Sequence, residues 1–155
     1  MRIAFNSFSQ RGTAKTHNED AVLLDGQVHQ GRIREHGAVD TLQPHFFAVA
    51  DGVSSGTLPH TASRRLLELL QTRLATAPVT VSLSALLYQV QQDYVALCAN
   101  AELVGMASTL VGVRVIGHTA TIFNVGDSRA YLLTGGANGG QAQLLSRDPV
   151  YSTIC

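Results

Sequence analysis

Three short acidic segments carry the chemistry open to this chain: Asn18-Glu19-Asp20, Ala48-Val49-Ala50-Asp51-Gly52 and Asn124-Val125-Gly126-Asp127-Ser128-Arg129. Each ends or precedes an apolar run, so each places carboxylates at a turn beside a strand. Magnesium and manganese take oxygen donors, and one or two carboxylates with a backbone carbonyl are enough when waters complete the octahedron. Glu19, Asp51 and the Gly52 carbonyl supply such a set, and a glycine at 52 lets the backbone come close to an ion. An ion held there lowers the pKa of bound water and neutralises phosphoryl charge.

Taken singly, each segment has an ordinary reading. Asn18-Glu19-Asp20 is also a solvated turn with Asx hydrogen bonds, Asp51-Gly52 a strand-ending turn, and Asp127-Ser128-Arg129 a turn closed by its own ion pair. Lys15 and Arg11 are then plain surface cations. Three carboxylate turns on one sheet are what point to a metal.

Other chemistries find less support. The six histidines, at positions 17, 29, 36, 45, 60 and 118, show no paired ligand spacing for zinc. Ser128 lacks a nucleophile elbow, and no histidine is placed near it by the sequence. Cys98 lies in a helical pattern and Cys155 is the final residue, which makes neither a disulfide framework nor a zinc spacing and fits a reducing compartment.

The acids must be held by a domain of modest size. The chain has 155 residues, 45% of them hydrophobic, enough for one core and one domain spanning 1–155. Charged residues make up only 14%, with eleven acids balanced by eleven Lys and Arg. With a pI near 7.0 and no basic run, nothing tracks a phosphate backbone, so nucleic acid is not an expected partner. No segment reaches the roughly 20 apolar residues of a membrane span, and the N-terminus lacks a signal-peptide core, so a cytoplasmic location is expected.

Residues 2–8 alternate and residues 21–24 are apolar, which predicts two strands paired as a hairpin around the polar turn Gln10 to Asp20. The segment Asp25 to Pro44 reads as a long excursion, and Phe46 to Ala50 as a strand buried on both faces. A helix is predicted from Thr57-Leu58-Pro59, with Ala62, Leu66, Leu69, Leu70 and Leu74 on one face and Pro78 closing it. A second follows Ser82 as N-cap, with Leu83, Leu86, Leu87, Val90, Tyr94 and Leu97 inward and Asn100 as its stop. Then come strands at Thr109 to Ile116, Thr119 to Phe123, Arg129 to Thr134 and Gln143 to Ser146, with turns at Gly117-His118 and Gly135 to Gly140. Strands, two helices, then strands make an α+β domain with helices on one face of an antiparallel sheet.

In order and spacing, five segments resemble the protein phosphatase type 2C family of metal-dependent Ser/Thr phosphatases, and its compact bacterial branch in particular. They are Arg11-Gly12 to Lys15 with Asn18-Glu19-Asp20-Ala21, Phe47 to Gly52, Gly105 to Leu110, Asn124 to Tyr131, and Leu144 to Asp148. The resemblance runs from about Ser9 to Asp148. It implies an antiparallel β-sandwich flanked by helices, with two Mg2+ or Mn2+ ions sharing a water that attacks phosphoserine or phosphothreonine. By position it makes Asp51 the bridging ligand, gives Glu19 and the Gly52 carbonyl to the second ion, and sets Asp20 and Asp127 to orient waters behind the ligands. Phosphorylated Ser/Thr proteins would be substrates, and a eukaryotic-like Ser/Thr kinase a partner.

Three departures from the family pattern qualify the expectation. Lys15 stands where the family has a phosphate-binding arginine, replacing a bidentate fork by a point charge. Ser54-Ser55-Gly56 replaces a glycine pair. The later Ser-Asp-Gly and Asp-Asn motifs, whose carboxylates hold the first ion, do not occur, and residues 149–155 form an atypical tail. The expectation is therefore a partial domain, missing the C-terminal part, with one ion or weakly bound ions and impaired hydrolysis. A catalytically inactive module that binds a phosphoprotein or kinase stays open beside it, as does a small α+β domain without a site.

Overall fold

The computed structural model describes residues 1–78, 80–135 and 140–147. Among these, the strands are β1 (Arg2–Ser9), β2 (Asp20–Leu24), β3 (Gln27–Gln30), β4 (Ile33–Asp40), β5 (His45–Asp51), β6 (Leu110–Ile116), β7 (Thr119–Val125), β8 (Tyr131–Thr134) and β9 (Gln141–Leu144). The helices are α1 (Pro59–Thr76) and α2 (Leu83–Cys98). A five-stranded antiparallel sheet runs in the order β3-β2-β5-β6-β7, while β1 pairs with β4 and β8 with β9 in two smaller sheets.

Both helices form as their patterns dictate. Pro59 occupies the first turn of α1, where its missing N–H costs nothing, and the chain enters through Leu58 at φ 47. Ser82 caps α2, its Oγ accepting from the Ala85 N–H at 3.2 Å. The helices bury Leu66, Leu67, Leu70, Leu86, Val90 and Tyr94 against Ala21, Leu23, Ala48, Ala50, Leu110 and Phe123 of the sheet. Each fully buried leucine contributes about 1.5–3 kcal/mol relative to exposure. The expected α+β class, with both helices on one sheet face, is what the structure shows.

Three expectations need correction. The segment Asp25 to Pro44 is not an excursion: it holds β3 and β4, because Asp25 (φ 45) and Gly26 (φ 84) form a two-residue hairpin turn of the kind Asp-Gly favours. β1 consequently pairs with β4 along its whole length, Arg2 opposite Asp40 through Ser9 opposite Ile33, and not with β2. Finally, β5 is not buried on both faces. Ala48 and Ala50 are covered by the helices, but Val49 on the other face is 41% exposed.

That second face looks toward β1, whose Phe5 ring lies 5.0 Å from the Phe47 ring. A space of about 460 Å3 remains between the two layers, lined by Val49, Val111, Val113 and Ile122 among others. The middle of the expected Gly135 to Gly140 turn, residue Asp148 and the 149–155 tail lie outside the described residues.

Candidate active site

Antiparallel pairing of β2 with β5 sets Asp20 directly opposite Asp51, so the first residue of one strand meets the last of the other. The turn before β2 is fixed by its own side chain: Asn18 Oδ1 accepts from the Asp20 N–H at 3.2 Å, and Asn18 Nδ2 donates to Ser9 Oγ (2.7 Å) and the Gly31 carbonyl (2.8 Å). This is the Asx geometry of the ordinary reading. It also delivers Glu19 to the strand end. The Glu19 carbonyl accepts from the Gly52 N–H at 3.0 Å and from the buried Ser63 hydroxyl of α1 at 2.5 Å.

The third acidic turn arrives through β6. The Asp51 carbonyl accepts from the Thr109 N–H (2.9 Å) and from Ser108 Oγ (3.0 Å), while the Asp51 N–H donates to Thr109 Oγ1 (3.2 Å). Thr109 Oγ1 lies 2.6 Å from Ser128 Oγ, which ties the Asp127 turn to the same strand end. Gly126 sits at φ 97, a left-handed conformation, and a Cβ there would come within 2.8 Å of Thr109 Cγ2. Asn124 Nδ2 holds this turn by donating to the Gly126 and Arg147 carbonyls at 3.1 and 3.0 Å.

Gly52 is required here for a reason the sequence did not supply. A Cβ on it would lie 1.8 Å from the Pro59 carbonyl oxygen, so the start of α1 packs directly on the Gly52 backbone. The glycine serves close packing of helix on turn; its φ is not in the left-handed region.

The carboxylates crowd one another. Asp51 is pushed up to about 6, by desolvation first and then by the charge of Asp20, with Asp127 and Glu19 adding to it. Because Asp51 remains an exposed residue, the facing carboxylates are the cause its geometry supports best. Asp20 is also raised, by burial first and by Glu19, while a hydrogen bond shared with Asp51 pulls the other way. Two like charges this close make the pair hold a proton more readily than ordinary carboxylates do.

Glu19 behaves differently. Lys15 Nζ contacts both of its carboxylate oxygens, at 2.8 and 3.1 Å, and Ser54 Oγ donates to Oε2 at 2.6 Å. Lys15 Nζ also donates to Ser54 Oγ at 2.8 Å, closing a three-membered cluster. These hydrogen bonds, Lys15 first, hold Glu19 below the ordinary carboxylate range. Arg11 Nη1 donates to the Lys15 carbonyl and braces the same loop.

Glu19, Asp20, Asp51, Gly52 and Asp127 therefore gather at one sheet end, with Lys15 beside them but engaged by Glu19. Ser63, Ser54 and Thr109 were not legible as parts of the site, because each acts through a contact distant in sequence. Among the described residues no three His, Cys, Asp or Glu side chains already converge on a single metal position. The donor chemistry nevertheless fits a hard divalent cation. The groups are oxygens, and the Asp20 and Asp51 pair carries a repulsion that such a cation relieves.

Residues 17–149 match the sequence family described as Protein phosphatase 2C. Among solved structures, the chain is similar to the serine/threonine phosphatase Stp1 from Staphylococcus aureus, with 21% identity and a TM-score of 0.66 over 95% of this chain and 53% of that one. It is similar to the PPM Ser-Thr phosphatase MsPP from Mycobacterium smegmatis in complex with cacodylate, with 25% identity and a TM-score of 0.60 over 96% of this chain and 53% of that one. It also resembles the catalytic domain of the serine threonine protein phosphatase PstP in complex with two manganese ions, at 23% identity and a TM-score of 0.59, covering 96% of this chain and 55% of that one. The chain spans between 53% and 64% of the length of the solved structures it matches. No curated protein matches the sequence. The family match covers most of the chain, including all three acidic turns, and the chain belongs to the protein phosphatase 2C family.

Proposed function

We propose that this chain carries the metal-dependent hydrolysis of phosphoserine and phosphothreonine in proteins. The observation that supports it is the register of β2 and β5, which sets Asp20 against Asp51 while the Gly52 N–H bonds the Glu19 carbonyl at 3.0 Å. Glu19, Asp51 and the Gly52 carbonyl would hold Mg2+ or Mn2+, which supplies an activated water and neutralises phosphoryl charge. Asp20 and Asp127 flank these groups and would orient water around the ion. Asp51, which holds a proton up to about pH 6, must give it up to act as a ligand.

Lys15, which bonds the Glu19 carboxylate, would meet a substrate phosphate once it leaves Glu19. As a point charge it gives less orientation than a guanidinium fork. Among the described residues the donors amount to part of a two-ion set, so the 155-residue chain on its own is proposed to turn over slowly. A phosphoprotein partner, an opposing Ser/Thr kinase and a cytoplasmic location belong to this reading. No helix among the described residues is long and apolar enough to cross a membrane.

The test is release of phosphate from a phosphothreonine peptide with Mn2+, comparing the wild type with Asp51→Asn. Measurable turnover that falls on substitution is the expected result. Binding of the phosphopeptide with no turnover at any Mn2+ concentration would instead make the chain a catalytically inactive phosphoprotein-binding module.

A further inference from the structure

A second cleft lies at the end of the five-stranded sheet opposite Asp51, under the joint between α1 and α2. It has a volume of about 450 Å3, and its walls are largely apolar, with Phe46, Leu74, Leu83 and Leu86 among them. That size falls in the range of small-molecule sites. Arg114 lines it from β6, where it is the cross-strand partner of Phe46 on the helix-facing side. The Arg114 Nε is buried and has no hydrogen-bond partner. Beyond the backbone pairing of its strand, no side-chain hydrogen bond or ion pair joins Arg114 to another of the described residues.

Asp25 and Gln71 of the cleft are already engaged, and Gln43, also in its lining, is uncharged. Asp25 is bound by His45 Nδ1 at 2.6 Å, and Gln71 Nε2 donates to the Gly26 carbonyl at 2.5 Å. Arg114 brings a guanidinium to an apolar wall with its buried Nε unmet, an arrangement that proteins avoid unless an acceptor arrives. A carboxylate matches the guanidinium fork, and the walls take an apolar tail. A dianionic phosphate fits poorly, because its second charge would be desolvated without a partner.

We propose that this cleft binds a small amphipathic monocarboxylate, a medium-chain aliphatic or aryl-alkyl acid, with its carboxylate on Arg114 and its tail against Phe46, Leu74, Leu83 and Leu86. The site shares no residue with the acidic strand ends, so it stands whether or not the phosphatase reading does.

The experiment is calorimetric titration of the 155-residue chain with octanoate and with octanol, which differ only in the head group. The wild type is expected to bind octanoate about tenfold or more tighter than octanol, the scale of a charge-assisted hydrogen bond. Arg114→Ala should remove that preference and leave octanol binding in place. The wild-type comparison needs no folded variant and decides the question alone if Arg114→Ala fails to fold. Equal affinity for the two ligands, or octanoate binding unchanged by Arg114→Ala, would overturn the proposal. Octanoate binding lost instead on Arg129→Ala would place the ligand between the two sheet layers and overturn it too.

Discussion

Lys15 Nζ and Glu19 Oε2 lie 2.8 Å apart in a loop, not on a helix, and Ser54 Oγ bonds to both partners. The carboxylate that the family pattern gives to a metal is thus met by the cation that the pattern gives to phosphate. The two roles exclude each other while the pair is closed, so a divalent ion at Glu19 and a phosphate on Lys15 would favour one another.

Removal of Lys15 should therefore ease metal entry. An exposed pair of this kind is worth at most about 1 kcal/mol, so Lys15→Ala is expected to tighten Mn2+ binding up to about fivefold. The same variant should weaken inhibition by inorganic phosphate. Titration calorimetry reads the first effect and competition by phosphate the second. Mn2+ affinity that falls on Lys15→Ala would mean the pair assembles the site and does not compete for it.

Gly52→Ala should be costly although alanine is small. The added Cβ meets the Pro59 carbonyl oxygen at 1.8 Å, and that oxygen belongs to backbone that can move only with the start of α1. A loss of about 3 kcal/mol is expected, the upper end for overpacking. Gly12→Ala is the control, since its nearest neighbour would be Lys15 Cγ at 3.8 Å. Urea unfolding midpoints compare the two, and an unshifted midpoint for Gly52→Ala would contradict the contact.

The His45 and Asp25 pair should give stability a pH dependence of known sign. Asp25 Oδ1 lies 2.6 Å from His45 Nδ1, and this hydrogen bond, chief among the causes, raises His45 above its ordinary value of 6.5. The folded state then binds the proton more tightly than the unfolded chain. The contribution is complete below pH 6.5 and is lost as pH rises through the higher folded value. Urea midpoints measured across this window should fall for the wild type and change less for Asp25→Asn. Parallel curves would show that the pair is not coupled to folding.

Much of the site was legible because strand ends advertise themselves. Asp51 closes an apolar run and Glu19 opens one, so local pattern put both at turns. Their meeting depended on β2 lying beside β5, which the apolar runs permit but do not specify. The strands β3 and β4 were missed because Asp25-Gly26 looked like the start of a loop, when two residues with positive φ make a tight hairpin. Once that turn is formed, β1 finds β4, a pairing with no local signal. Ser63 was hidden for a similar reason. It lies on the buried face of α1, and its bond to the Glu19 carbonyl spans 44 positions that only the packed helix brings together.

The account rests on the acidic strand ends taking up a divalent ion through Asp51. Titration of Mn2+ into the 155-residue chain and into Asp51→Asn, with folding of the variant checked by its urea midpoint, tests this most directly. Saturable binding by the wild type, weakened about tenfold or more in the variant, is the predicted result. Absence of binding to the wild type, or equal binding by both, would contradict it.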